Sequence, residues 1–275
     1  MRRDGTIVAL IGALVVGMII LGDVPVLAQA KSRTLLAVFA HPDDEQVVSP
    51  MLARYAREGV RVHLAIATDG RKGVREHAGI PAGDALATAR AAEARCACEK
   101  LKIEAPTLMG VADGELYQDA NKKTVLEGVA RLLADLKPDA VVTWGPDGVT
   151  GHTDHRMVSN LVTEVIQRGQ PGTPPLYYLG FSSSKAAALR QQGAPSAGGI
   201  PPEIAVVDDR YLPVRIAYQE QDARAAAEAL ACHKTQYTPE QMDTINAYLA
   251  HGWNGMSWLR PWNGTLRDPE RIFHR

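Results

Sequence analysis

Thr34-Leu-Leu-Ala-Val-Phe-Ala40 is a continuous apolar run, and it leads directly into the polar cluster His41-Pro-Asp-Asp-Glu45. Such a run is typical of a strand that is buried on both faces, at the centre of a parallel sheet. Residues 45–58 follow with helical spacing, and residues 60–68 form a second apolar run that ends at Asp69-Gly70. The sequence therefore predicts a strand–helix–strand unit with polar residues where the strands end.

The same alternation continues along the rest of the chain. Further strands are predicted at 107–109, 139–144, 176–181 and 204–207, and helices at 84–101, 122–137, 153–168 and 216–232. Residues 182–202, rich in Ser, Gly, Ala and Pro, are predicted to form a surface loop, with a mobile lid as the alternative. Strands that alternate with helices indicate a single α/β domain, in which a mostly parallel sheet is flanked by helices.

Length and composition exclude several classes of protein. The 275 residues allow one large domain or two small ones, at about 100–200 residues per domain. Hydrophobic residues make up 46% and charged residues 22%, which excludes a disordered tail, a collagen and a polytopic membrane protein. The 30 basic and 31 acidic residues give a net charge of -1, so no nucleic-acid partner is expected.

The N-terminal residues have the layout of a targeting segment. Arg2 and Arg3 precede apolar runs at 7–21 and 24–27, and Ala28-Gln29-Ala30 fits the small-x-small pattern of a signal peptidase site. We therefore predict a signal peptide at 1–30 and an exported domain at 31–275, either periplasmic or secreted. An uncleaved anchor is the alternative, although a membrane-spanning helix needs about 20 apolar residues. Only an anchor would bring the protein to a membrane.

The cysteines carry little information about function. Cys96 and Cys98 are two apart in a predicted helix and Cys232 is isolated, so no pair has the spacing of a metal site. We expect small buried residues. A bridge from Cys232 to one of the other two, formed after export, is the alternative.

Two polar segments fall at predicted strand ends, where open α/β sheets bind their ligands. His41-Pro-Asp-Asp-Glu45 follows the first strand, and His152-Thr-Asp-His155 follows the strand at 139–144. A catalytic zinc site uses about three protein ligands and leaves a position open for water. His41, Asp44 and His155 can supply these ligands. No Gly-x-Gly-x-x-Gly follows the first strand, so a dinucleotide site is not expected.

Three further residues of these segments are candidates for catalysis. Asp43 would remain uncoordinated beside the metal and could act as a general base. His152 could stabilise a developing oxyanion or protonate a leaving amine, and Asp154 could orient a histidine through its ring N–H. Each segment alone could also be a capped helix start with no chemistry, since Asp stabilises a helix N-terminus. Their convergence at two strand ends favours the metal site.

These segments resemble the PIG-L / LmbE-like family of zinc-dependent N-deacetylases, whose two motifs match Ala40 to Glu45 and Gly151 to His155. The similarity extends over roughly 34–240 and includes Thr68-Asp69-Gly70, Arg90 with Glu93, Asp113, and His233-Lys-Thr-Gln236. The resemblance implies a Rossmann-like fold with its active site at the C-terminal ends of the strands. One position departs from some relatives, because Thr150 stands where they carry an aromatic hydroxyl.

The resemblance also implies roles for individual residues. It implies one Zn²⁺ per chain, or another divalent metal, held by His41, Asp44 and His155. It implies Asp43 as general base, and His152 as oxyanion stabiliser or general acid with Asp154 as its partner. Arg90 and Asp113 would contact the sugar hydroxyls.

The expected reaction is hydrolysis of the N-acetyl amide of an N-acetylglucosamine-type sugar or glycoconjugate. A metal-dependent phosphoesterase is the first alternative, and it would need Asp43 and Asp69 as ligands of a second metal. An exported carbohydrate-binding protein without turnover is the second. His233 is either part of the site or structural, and Glu45 is interpreted as an acid that stabilises a helix start.

Overall fold

The computed structural model of the chain describes residues 32–169, 172–191, 204–247 and 255–263. These residues belong to one unit, Ser32–Arg275. The predicted signal segment 1–30 lies outside the described residues. Within the described ranges, no helix is both long enough and apolar enough to cross a bilayer.

Nine strands are described, and most of them form one sheet. They are β1 (Thr34–Phe39), β2 (Arg61–Thr68), β3 (Thr107–Val111), β4 (Ala140–Trp144), β5 (Leu176–Leu179), β6 (Phe181–Ser182), β7 (Val206–Val207), β8 (Val214–Ala217) and β9 (Met256–Pro261). The main sheet has seven strands in the order β3-β2-β1-β4-β5-β9-β8. The first five are parallel, and β9 pairs antiparallel with both β5 and β8. The predicted, mostly parallel α/β fold is confirmed.

The helices pack in two groups around this sheet. They are α1 (Ser49–Arg57), α2 (Asp84–Leu101), α3 (Asp119–Leu136), α4 (Thr153–Gln167), α5 (Ser183–Gln191), α6 (Glu220–Leu230) and α7 (Pro239–Ala247). Helices α1, α2 and α6 contact one another, while α3 contacts α4. Every residue of β1 is buried, which explains why its sequence is apolar throughout rather than alternating.

Two sequence predictions about secondary structure are wrong. Residues 216–232 do not form one helix, because β8 occupies the start and α6 begins only at Glu220. The alternation of buried Val214 and Ile216 with exposed neighbours gives this segment a strand period. The loop predicted at 182–202 is also wrong at its start, where Ser183–Gln191 is helical. Asp209 accepts a hydrogen bond from the Ser184 amide at the start of that helix. Residues 192–203 lie outside the described part.

The cysteine prediction holds only in part. Cys98 is buried and unpaired, and burial raises the pKa of its thiol to about 12. Cys96 and Cys232 form a disulfide instead, with their Cα atoms 5.9 Å apart. This bond links the middle of α2 to the segment that follows α6.

Candidate metal centre and active site

The polar segments meet where the direction of strand order reverses. Strand β1 lies between β2 and β4, and the chain leaves β1 toward one side and β4 toward the other. Such a switch point opens a crevice at the carboxyl ends of the strands. His41, Asp43 and Asp44 follow β1, and His155 lies in the first turn of α4. The fold thus brings together residues that are 114 positions apart.

The three predicted metal ligands converge on one point. The Nδ1 of His41 lies 3.1 Å from the Nε2 of His155, which is 3.2 Å from Asp44 Oδ1. His41 Nδ1 and Asp44 Oδ2 are 3.5 Å apart. Ligand atoms about 2.0–2.1 Å from a tetrahedral zinc ion lie about 3.3–3.4 Å from one another. Each nitrogen lies at about this spacing from the other and from one of the two Asp44 oxygens, so the donor set fits a single small divalent cation.

Neighbouring groups place the ring protons on the far side of each histidine. His155 Nδ1 lies 3.0 Å from the carbonyl oxygen of Gly148, to which it donates, so its Nε2 is free to bind a metal. His41 Nε2 faces two carboxylates, Asp113 Oδ1 at 3.2 Å and Asp154 Oδ2 at 3.5 Å, which leaves Nδ1 free. Two unprotonated nitrogens and a carboxylate then face one another, an arrangement that a cation stabilises.

The pKa shifts of His41 and Asp44 both favour positive charge at this site. Burial lowers the pKa of His41, but the nearby Asp44, Asp113 and Asp154 outweigh it and hold the pKa well above its ordinary value. Burial raises the pKa of Asp44, but His155 and His41 outweigh it and hold that pKa well below its usual range.

Two further groups of side chains could hold a metal. One group consists of His41, His152 and His155, and the other of His41, Asp113 and Asp154. In each group the possible ligand atoms lie within 4.8 Å of one another. The Nδ1 of His152 already accepts a hydrogen bond from the backbone N–H of Asp154 at 3.1 Å. Within the part of the chain that the structure describes, both of these groups share His41 with the predicted ligand set.

Asp43 is held in an unusual backbone conformation beside the ligands. Its φ is +102°, a region that non-glycine residues rarely adopt and that costs about 1–3 kcal/mol. Its carboxylate accepts hydrogen bonds from Arg90 Nη2 at 2.9 Å and from the Tyr237 hydroxyl at 3.0 Å. Burial raises its pKa, Arg90 opposes that shift, and the neighbouring Asp44 adds to it. Both oxygens of the carboxylate are thus paired with hydrogen-bond donors from the protein.

Glu45 lies in the first turn of the short 3-10 helix Asp44–Val47, as the sequence suggested, and it also holds a buried partner. It is almost fully buried, and its Oε1 lies 2.6 Å from Nε2 of His233, which is fully buried. The other oxygen, Oε2, accepts a hydrogen bond from the backbone N–H of Asp43 at 3.1 Å. His233 is therefore part of the site's support, because the pair fixes the backbone that carries Asp43.

His152 caps helix α4, and the residue stays in part accessible to solvent. Because Nδ1 accepts from the Asp154 backbone, the proton of the neutral ring is on Nε2. Burial lowers the pKa of His152, and the adjacent His41 and His155 lower it further. A neutral ring with an Nε2–H donor suits the stabilisation of an oxyanion. The carboxylate of Asp154 lies 3.5 Å from His41 Nε2 and accepts a hydrogen bond from the Gly114 amide at 2.7 Å. Its predicted partnership with His152 stays a prediction.

Arg90 and Asp113 contact the protein rather than an open surface. Arg90 is 3% exposed, and its guanidinium donates to Asp43 and to the carbonyl oxygens of Pro42 and Gly70. Gly70 has a φ of +67°, and a Cβ there would lie 2.4 Å from Arg90 Nη1. Asp113 faces His41 and accepts from the Lys72 amide at 3.1 Å. Their predicted contact with sugar hydroxyls stays a prediction.

The fold is a Rossmann-like α/β domain with a cluster of histidine and aspartate side chains at its switch point. Residues 36–166 match the family model described as PIG-L: GlcNAc-PI de-N-acetylase. A 1D-myo-inositol 2-acetamido-2-deoxy-alpha-D-glucopyranoside deacetylase from Saccharomonospora viridis is 30% identical over 233 residues, covering 74% of this chain and 85% of the relative. The chain belongs to the PIG-L family.

Relatives of the same name occur in other bacteria. The deacetylase from Mycobacterium sp. (strain JLS) is 31% identical over 205 residues, which are 67% of this chain. The match spans 65% of that relative's length. Among solved structures, N,N'-diacetylchitobiose deacetylase from Pyrococcus horikoshii superposes with a TM-score of 0.60 at 17% identity, covering 85% of both chains. At that identity the likeness concerns the fold.

Proposed function

We propose that the protein is a metal-dependent amidohydrolase that removes the N-acetyl group from an N-acetylglucosamine-type sugar or glycoconjugate. The observation that carries this proposal is the convergence of His41, Asp44 and His155 beside an Asp43 carboxylate that is paired with hydrogen-bond donors. The matched relatives, which are named as deacetylases of an N-acetylated aminosugar conjugate, support the substrate class.

His41, Asp44 and His155 would hold one Zn²⁺ in this proposal. A divalent cation bound there would polarise the acetamide carbonyl and acidify a water molecule. Asp43 accepts the proton of the attacking water as its oxygen bonds to the carbonyl carbon. His152 donates its Nε2–H to the carbonyl oxygen as that oxygen becomes negative.

The C–N bond then breaks to complete the reaction. Asp43 returns its proton to the departing nitrogen, so the products are acetate and a free amino sugar. Its raised pKa suits the first half of this transfer, since a base with a higher pKa accepts a proton more readily. Arg90 and Asp113 are proposed to reach the sugar when it binds.

A two-metal phosphoesterase is less well supported. It would need a carboxylate that bridges two ions about 3.5–4 Å apart. Asp43 is held by Arg90, and Asp69 is held by the Arg71 guanidinium at 2.6 Å. A binding protein without turnover has no use for a buried, uncoordinated acid at this position.

We also propose that the domain is exported, to the periplasm or beyond the cell. The signal-like pattern at 1–30 supports export. The disulfide between Cys96 and Cys232 supports it independently, because disulfides persist in oxidising compartments.

The test of the proposed activity is acetate release from a panel of N-acetylated sugars. The protein is stripped of metal, reloaded with Zn²⁺ and incubated with an N-acetylglucosaminyl inositol and with N,N'-diacetylchitobiose. We expect acetate and a free amine in equal amounts, loss of both on chelation, and recovery on adding metal back. If zinc binds and no substrate in the panel releases acetate, the proposed function is wrong.

A further inference from the structure

Both oxygens of the Asp43 carboxylate are occupied by donors from the protein. Arg90 Nη2 donates to Oδ1, and the hydroxyl of Tyr237 donates to Oδ2 at 3.0 Å. Arg90 belongs to a motif already visible in the sequence, whereas nothing in the sequence singles out Tyr237, which lies 194 residues from Asp43.

The direction of the tyrosine hydrogen bond is set by a second contact. The side-chain amide of Gln46 donates to the hydroxyl oxygen of Tyr237. Because that lone pair is used, the hydroxyl proton is directed to the carboxylate of Asp43. The ionised acid therefore receives a hydrogen bond on each oxygen, and hydrogen bonds to a charged group are the stronger kind.

Tyr237 is fixed by the segment that precedes it. Cys232 is covalently attached to Cys96 of α2, and the amide and hydroxyl of Thr235 donate to Glu93 at 2.8 and 2.7 Å. Arg90, Glu93 and Cys96 are three residues apart and so lie along one face of α2. One helix face thus anchors both groups that hold the Asp43 carboxylate.

We propose that Tyr237 is a positioning residue that keeps Asp43 oriented as an uncoordinated base. The inference rests on the proposed function and deepens it. Asp43 is adjacent to the proposed metal ligand Asp44, and its backbone has a positive φ that few non-glycine residues adopt. Because such a conformation persists only where surrounding contacts hold it, the side chain needs support from outside its own segment. Arg90 holds Oδ1 of Asp43. Tyr237 holds Oδ2 and so prevents the carboxylate from rotating about its Cβ–Cγ bond.

The test is the variant Tyr237→Phe, which removes the hydroxyl and keeps the ring. Losing one hydrogen bond to a charged group should lower kcat about tenfold to hundredfold. KM should stay within about twofold, because the substrate loses no contact. Metal content per chain should equal that of the wild type, since none of His41, Asp44 and His155 is changed.

The matched control is Tyr178→Phe. Tyr178 lies on β5, and its hydroxyl is 2.6 Å from the hydroxyl of Thr163 on α4, so this variant also removes one tyrosine hydrogen bond. It should lower the melting temperature about as much as Tyr237→Phe while leaving kcat unchanged. Equal kcat values for the two variants, or a fall in kcat that tracks lost metal, would overturn the positioning role.

A crystal structure of Tyr237→Phe supplies a readout that does not depend on turnover. We expect the Asp43 carboxylate to be rotated or disordered about its Cβ–Cγ bond while Arg90 stays in place. An unmoved, well-ordered carboxylate overturns the inference even if kcat falls. Wild-type protein that binds zinc but releases no acetate refutes the proposed function instead, so the two failures are distinguishable.

Discussion

His233→Ala should destabilise the protein strongly, because it leaves a buried carboxylate without its partner. His233 and Glu45 are 0% and 1% exposed as side chains and lie 2.6 Å apart. Removing one partner of a buried pair costs about 3–5 kcal/mol, most of it the penalty for the charge left behind. The assay is urea unfolding at neutral pH, with His77→Ala as the control. His77 is exposed and makes one hydrogen bond, to the carbonyl oxygen of Lys234, so its loss should cost at most about 1.5 kcal/mol.

The same variant carries a prediction about pH. Burial lowers the pKa of His233, but Glu45, Asp43 and Glu93 outweigh it, so the folded-state pKa is raised. A raised pKa contributes stability that is fully present below the unfolded pKa of about 6.5 and is lost as pH rises through the folded pKa. The gap between wild type and His233→Ala should therefore be larger at about pH 6 than at about pH 9. A cost below about 1 kcal/mol, or a gap that widens with pH, would refute this reasoning.

Three further predictions follow from single contacts. Reducing the Cys96–Cys232 disulfide opens a loop of 136 residues, so it should lower the unfolding free energy by up to about 5 kcal/mol in denaturant titrations, and an unchanged midpoint would count against the bond. His152→Ala should lower kcat about 10²–10³-fold with metal retained, whereas full activity would remove its oxyanion role. Gly148→Ala would place a Cβ 2.9 Å from Cβ of His155, so chelator competition should report weaker metal binding, and unchanged affinity would contradict the geometry.

Sequence alone predicts those parts of the fold that depend on patterns among neighbouring residues. Strand β1 is buried on both faces and has an apolar sequence, so its place at the centre of the sheet follows directly. The polar segments after β1 and β4 are also recognisable from neighbouring residues alone. Ligands bind at the switch point of an open α/β sheet, so the two segments are expected to meet there. That is why His41, Asp44 and His155 could be predicted as one group from spacing and strand order.

The support around the site could not be predicted, because its contacts join distant segments. Glu45 and His233 are 188 residues apart, and neither has a spacing that identifies the other. Cysteine spacing did not distinguish Cys96 from Cys98 as the partner of Cys232, since both are on α2. Only packing of α2 against α6 decides between them. Arg90 shows the same limit, because its sequence motif does not reveal which acid it holds.

The metal centre is tested most directly by counting the metal in the purified protein and measuring its coordination by X-ray absorption at the zinc edge. We predict one zinc ion per chain, bound by two imidazole rings and oxygen donors, with His155→Ala losing the ion. Two ions per chain, or a shell of three imidazoles that includes His152, would contradict the assignment of His41, Asp44 and His155 as the ligands.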